Sequence, residues 1–169
     1  MIYLFYFSII LIANIIQTTD IIKFFTLMGQ VQPNFILLIV IFVNIQEKNS
    51  IIGEGTGFLV GLLEDVLSVG LFGLNAFLKT IISFVVNLFK GKFYIDNFFF
   101  AFLFVFLVSI LYSLFYLILE SVLVGNIPFG QNFIQLAFPS ALYNGILAPL
   151  VFPFLKRVRN KIILFNKGK

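Results

Sequence analysis

The stretch that decides the fold is FFFAFLFVFLVSILYSLFYLIL, residues 98–119, in which 22 successive residues carry no charge. A helix of this length spans about 33 Å, and the hydrocarbon core of a bilayer is about 30 Å thick. The segment therefore predicts a transmembrane helix. The whole chain of 169 residues is 61% hydrophobic and 11% charged, against about 45–50% and about 25% in soluble domains. With a mean hydropathy of +1.11, we expect a polytopic membrane protein.

Turns rich in glycine, proline and charge divide the chain into six apolar segments. We expect helices at 1–19, 33–45, 51–67, 74–89, 98–119 and 133–155, with a loop at 125–130. The first segment lacks a basic n-region and a small-x-small cleavage site, which favours a retained helix over a removed signal peptide. Pro139, Pro149 and Pro153 predict kinks in the last. The predicted fold is an all-α membrane protein, with a six-helix transmembrane domain at 1–155 and a basic cytoplasmic tail at 156–169.

Basic residues predict the orientation. With the tail in the cytoplasm, an even number of spans places nine basic residues inside and Lys23 outside, as the positive-inside rule requires. Both termini are then cytoplasmic. Four tail residues are expected to contact lipid head groups at about 1 kcal/mol per charge, a cytoplasmic partner being the alternative: Lys156, Arg157, Arg159 and Lys161. A membrane tail explains the net charge of +4 better than nucleic-acid binding.

The residue inventory excludes several kinds of chemistry. There is no Cys and no His, which excludes disulfide frameworks, thiolate and imidazole metal sites, and Ser-His-Asp or Cys-His catalysis. We expect no metal and no cofactor. The run GEGTG at 53–57 lacks the Lys-Ser/Thr of a phosphate-binding loop and opens a membrane helix, so it is not a nucleotide site.

Ionisable residues within predicted spans are candidates for function. Asp65 and Lys79 lie at similar distances from the glycine turn at 70–73, so we predict an ion pair of Lys79 with Asp65 or Glu64. The same depth argument collects an outer-leaflet polar cluster: Glu64, Asp65, Asn75, Lys79, Glu120, Tyr143 and Asn144. The cluster could hold the helices together, or it could form an outward-facing ligand pocket.

Two stripes of small residues predict close helix contacts. Gly53, Gly57 and Gly61 recur every four residues and share one helix face with Asp65, where they let another backbone approach. The contact is expected within the chain, with a partner helix as the alternative. A second stripe is formed by Ala137, Ala141 and Gly145.

Three of these segments resemble the MreD family of rod shape-determining proteins. GFLVGLLED at 57–65 is similar to the G-x-x-x-G-L-x-x-D helix of that family, and GLFGLNA at 70–76 is similar to the turn that follows it. The end, with ALYN at 141–144 and PLVFP at 149–153, resembles the family's last helix. Length, six-span layout and basic tail agree as well.

The resemblance implies a non-catalytic component of the bacterial cytoplasmic membrane. Such a protein binds MreC, and the pair connects MreB filaments with the peptidoglycan synthase RodA and its transpeptidase partner. The implied fold is similar to the substrate-binding subunits of energy-coupling-factor transporters, and a vitamin-binding subunit is therefore the alternative function. A membrane enzyme that uses Glu64, Asp65 or Glu120 is a third.

Overall fold

A computed structural model describes residues 2–19, 26, 31–68, 70–91, 97–125 and 129–167. These residues form six helices and no strand. The first five are α1 (Ile2–Thr18), α2 (Phe35–Gln46), α3 (Ser50–Leu67), α4 (Leu74–Phe89) and α5 (Phe98–Val124). The last, α6, joins Phe129–Asn132, a π-helical turn at Phe133–Ala137, and Phe138–Lys167. The predicted loop positions 92–96 and 126–128, with Lys23 and Lys169, lie outside the described residues.

Asparagine side chains begin three of the helices. Asn34, Asn49 and Asn97 each accept a hydrogen bond from a backbone N–H in the first turn of α2, α3 and α5, at 2.8–3.0 Å. Such caps satisfy donors that have no partner inside the helix. Helix α4 differs, because its capping position is Gly73, which has a φ of +91° and no side chain to offer.

Three predicted helix ends are wrong. Helix α5 continues past residue 119 to Val124, because the sequence stays apolar around Glu120. The helix ends only at Gly125, which has a φ of +77°. Helix α6 begins at Phe129, inside the predicted loop 125–130, and continues without a break past 155 to Lys167. The chain directly after 155 is therefore an extension of this helix.

The central element of the core is α2. Its residues 36–44 are all buried, and it packs against α1, α3, α4, α5 and α6. A helix that is apolar on every side belongs in the interior of a bundle. The outer faces of the other helices are apolar too, with Phe58, Phe98 and Leu107 among many large exposed side chains. Such a surface matches lipid better than water.

Within the described ranges, two helices are long and apolar enough to cross a membrane by length and composition, Phe98–Val124 and Phe129–Phe165. Helices α1, α2 and α4 are apolar but shorter. In α6 the π-helical turn ends two residues before Pro139, and the Phe138 N–H that follows it donates to the Phe133 carbonyl. A wider turn there makes room for a proline ring that would crowd an ordinary helix. Pro149 and Pro153 lie inside α6 without ending it.

Candidate functional site: a polar cavity at one end of the bundle

Asp65 supplies the cap that Gly73 lacks at the start of α4. Its Oδ2 accepts hydrogen bonds from the backbone N–H groups of Gly73 (3.1 Å) and Ala76 (3.0 Å). Its Oδ1 accepts from the backbone N–H of Asn75 (3.1 Å) and from the Asn75 side-chain amide (3.0 Å). A carboxylate that accepts hydrogen bonds from the unpaired N–H groups at the start of a helix is well stabilised. Asp65 therefore fixes the turn and is not the ion-pair partner of Lys79.

The predicted ion pair of Lys79 is confirmed with Glu64. The Lys79 Nζ contacts Glu64 Oε2, with the lysine side chain fully buried and 13% of the glutamate side chain exposed. Lys79 Nζ also donates to Asn75 Oδ1 (3.3 Å) and to the Tyr112 hydroxyl (3.4 Å). The Tyr112 hydroxyl in turn donates to Asn75 Oδ1 at 2.6 Å. A buried charge is tolerated when it is paired and hydrogen-bonded in this way.

A cavity of about 530 Å³ opens beside this network. It lies where α1, α3 and α5 end and where α2, α4 and α6 begin. Four predicted cluster members line it: Glu64, Asn75, Glu120 and Asn144. Asp65 and Lys79 lie behind its wall, bonded to Asn75 and Glu64.

Tyr143 is a correction to the predicted cluster. It is half-buried and does not line the cavity. The prediction used depth along the helix, which says nothing about direction around it. Successive residues of an α-helix point about 100° apart, so Asn144 faces the cavity while Tyr143 does not.

Side chains that the sequence analysis missed complete the wall. Gln17 bridges α1 to α2, because its amide donates to the Pro33 carbonyl and its Oε1 accepts from the Phe35 N–H, both at 3.1 Å. Asn144, which was predicted, joins α6 to the start of α2, because its Oδ1 accepts from the Asn34 N–H at 2.8 Å. Tyr112 and Tyr116 contribute from α5. Their signal in the sequence is the presence of polar groups in otherwise apolar segments, close to the segment ends.

Both small-residue stripes pack within the chain. A Cβ added to Gly61 would lie 2.5 Å from the Ala76 Cα, and one added to Gly57 would overlap the Ser83 Oγ. Gly53 lies against Asn44 and Asn87. In the second stripe Ala137 and Ala141 are buried, and a Cβ on Gly145 would lie 3.1 Å from the Phe102 ring. These stripes join α3 to α4 and α6 to α5, so they are not available to a partner helix.

At the opposite end of the bundle, Arg159, one of the residues expected to contact lipid head groups, makes two hydrogen bonds within the chain. Its Nε donates to the Tyr6 hydroxyl (2.9 Å) and its Nη2 donates to the Gln46 carbonyl (3.1 Å). Arg159 therefore ties the end of α6 to α1 and to the last turn of α2, where a cation is favourable. Arg157 and Lys161 are exposed and Lys156 is half-buried.

An all-helical bundle with an apolar surface and a polar cavity at one end defines a helical membrane protein. Among the described residues there is no group of three or more His, Cys, Asp or Glu that could hold a metal ion. A sequence model of the family described as rod shape-determining protein MreD matches residues 1–161. The chain belongs to this family of shape-determining membrane proteins. No curated protein and no solved structure matches the chain.

Proposed function

We propose that this chain is a non-catalytic scaffold of the bacterial cell-elongation complex. It would hold MreC in the cytoplasmic membrane and, through MreC, connect MreB with RodA and its transpeptidase partner during peptidoglycan synthesis. The observation that carries this proposal is the family match over residues 1–161. The described residues support it, since three ionised side chains at membrane depth have partners within the chain. Lys79 pairs with Glu64 and donates to Asn75, and Asp65 accepts from the backbone of the α3–α4 turn.

We also propose that the six helices cross the membrane as one bundle with both termini in the cytoplasm. Such an arrangement would be similar to the substrate-binding subunits of energy-coupling-factor transporters, as the family resemblance implies. The family match gives no support to a vitamin-transporter function. Arg157 and Lys161, exposed beyond the apolar part of α6, are the basic residues that we expect to contact anionic lipid, with half-buried Lys156 beside them.

The surface that we assign to the MreC helix is an apolar groove between α1 and α3. It has a volume of about 440 Å³ and its lining residues are Tyr3, Tyr6, Phe7, Ile10, Thr56, Leu59, Val60, Leu62, Leu63 and Val66. Helix association in lipid depends on close packing, because lipid tails are as apolar as the side chains. A concave groove offers more packing to a single helix than a convex face does.

Depletion of the protein in its native cell tests the function. We expect rod-shaped or helical cells to become round. Normal shape together with a vitamin requirement would contradict the scaffold and favour the transporter subunit.

Copurification tests the assigned surface. MreC should copurify with the wild-type chain in detergent, and Leu59→Trp should lower its recovery because the larger ring fills the groove. Leu88→Trp is the matched control, since Leu88 is similarly exposed, at 58% against 60% for Leu59, but lies on α4 away from the groove. Equal recovery with both variants would rule out the groove, and absence of MreC from the wild-type preparation would count against the scaffold itself.

A further inference from the structure

The polar cavity has the dimensions of a small-molecule site. Its volume of about 530 Å³ falls within the range of about 300–1,000 Å³ typical of ligand pockets. Polar side chains from α1, α3, α4, α5 and α6 all face it, including Gln17, Glu64, Asn75, Tyr116 and Asn144. The cavity therefore gathers polar side chains from five helices of a largely apolar chain, and polar groups at membrane depth are candidates for function.

The charges at the cavity are acidic. Glu64 and Glu120 line it, and among its described lining residues there is no Lys and no Arg. Lys79 neutralises Glu64 from behind the wall, but it is fully buried and cannot meet a ligand. Asp65 adds a further negative charge close by, through its bonds to Asn75. The local field therefore repels anions and attracts cations.

Glu120 is a charged lining residue of the cavity that lacks a partner. Within the described part of the chain its carboxylate makes no hydrogen bond and no ion pair. It lies one helical turn after Tyr116 and two turns after Tyr112, so the three share one face of α5. The two tyrosine rings are 6.2 Å apart between centroids. A free carboxylate next to an aromatic ring is a favourable combination for an organic cation.

The wall is held in place before any ligand arrives. Gln17 bridges α1 to the start of α2, Asn144 holds the start of α2 to α6, and Asp65 fixes the start of α4. Their hydrogen bonds are satisfied within the chain, whereas the Glu120 carboxylate and the ring of Tyr116, which also line the cavity, remain open to a ligand. A preformed site loses little conformational entropy on binding.

We propose that this cavity binds an ammonium or guanidinium group of an organic cation, with Glu120 as its counter-ion and Tyr116 as its aromatic contact. The group could belong to a free amine or to a Lys or Arg side chain of a neighbouring protein. This assignment depends on the charges of the cavity and is independent of the proposed scaffold function.

Binding of three matched probes to the purified full chain in detergent tests the proposal. The probes are 2-phenylethylammonium, 2-phenylethanol and phenylacetate, which share a ring and differ in charge. Calorimetry should give the cation an affinity at least about tenfold higher than that of either other probe, the value of one charge-assisted hydrogen bond. Equal or stronger binding of the alcohol or the anion, or no binding of any probe, would overturn the proposal.

Substitution of Glu120 locates the site. Glu120→Gln keeps the shape of the side chain and should remove the preference for the cation. Glu47→Gln is the control, because Glu47 is a half-buried glutamate at the opposite end of the bundle and should leave the affinity unchanged. An equal loss in both variants, or none in Glu120→Gln, would refute the assignment. The comparison of probes uses the wild-type chain, so it does not depend on how well the variant folds.

A second arm distinguishes the two sources of the cation. The probe is the peptide Gly-Lys-Gly with both ends blocked, compared with 2-phenylethylammonium. Tighter binding of the peptide would identify a protein side chain as the occupant, and tighter binding of the amine would identify a free small molecule. Either result supports the cation site, and failure of both to bind would reject it.

Discussion

One carboxylate, Asp65, organises the turn between α3 and α4. It receives four hydrogen bonds, three of them from backbone N–H groups at the start of α4. Sequence reasoning placed Asp65 at the correct depth and named it, with Glu64 as the alternative, as a partner of Lys79. The difference arises because the glycine turn leaves N–H groups unpaired, and the nearest carboxylate satisfies them before it can reach a more distant ammonium group.

Asp65→Asn tests this role. The amide can accept hydrogen bonds through one oxygen only, and its NH2 group would face backbone donors. We expect a loss of about 2 kcal/mol in the free energy of unfolding, since buried N–H groups would lose their acceptor. Unfolding in detergent, followed by circular dichroism, measures the change.

The control for Asp65→Asn is Glu54→Gln on the same helix. The Glu54 carboxylate accepts a hydrogen bond from the Asn87 amide alone (3.2 Å), a bond that an amide oxygen can replace. We expect a loss below about 0.5 kcal/mol. Similar losses at the two positions would show that Asp65 is not a special acceptor.

The Lys79–Glu64 pair gives the second prediction at this scale. Lys79→Met leaves the Glu64 carboxylate without its counter-ion and should lower the free energy of unfolding by about 3 kcal/mol. Lys79→Met combined with Glu64→Gln removes both charges and should restore part of the loss. Thermal unfolding in detergent of the two single variants and the double variant measures the coupling between the sites. An unchanged melting temperature for Lys79→Met alone would exclude the pair as a stabilising contact.

At the scale of elements, the sequence predicted the helices better than their ends. The apolar runs located all six helices, since continuous hydrophobicity is a strong signal for a membrane segment. The sequence analysis missed the end of α5 because Glu120 looked like a boundary, although a single carboxylate in the last turns does not stop a helix. The sequence analysis also missed that α6 continues to Lys167. The helix continues because basic residues are good helix formers and follow directly on the span.

The contact between α3 and α4 gives a prediction at the scale of the element. Gly61→Ala would place a Cβ 2.5 Å from the Ala76 Cα, against backbone that cannot move aside easily. We expect the two helices to separate slightly, at a cost of about 1–3 kcal/mol in the free energy of unfolding. Denaturant titration in detergent measures it.

Gly55→Ala is the matched control on the same helix. A Cβ at Gly55 would meet nothing within 4 Å, so the better helix propensity of alanine should dominate. We expect an increase in stability of about 0.5–1 kcal/mol. Opposite signs at the two positions would identify close packing as the reason for glycine at 61. A loss of equal size at both would instead indicate that helical glycines here serve another purpose.

At the scale of the whole molecule, the polar cavity follows from antiparallel helices. Residues far apart in sequence, such as Gln17, Glu64 and Asn144, meet because each lies near the same end of its own helix. Depth in a bundle can be read from sequence, which is why Glu64, Asn75, Glu120 and Asn144 were found. Direction around each helix depends on packing, which is why Tyr143 was included wrongly and Tyr112 was overlooked.

The proposed orientation gives the last prediction. The 169 residues contain no cysteine, so a single introduced cysteine is the one thiol available for labelling. Gln131 and Lys161 are both exposed polar residues of α6, and the 30 residues between them correspond to about 45 Å of helix, more than the thickness of the hydrocarbon core. Gln131→Cys should react with a membrane-impermeant maleimide in intact cells. Lys161→Cys should react only after the cytoplasmic membrane is disrupted, because the positive charges around it favour the inner side. The reverse pattern would place the C-terminal end of α6 outside the cell, and the basic residues of α6 could then not contact the cytoplasmic leaflet.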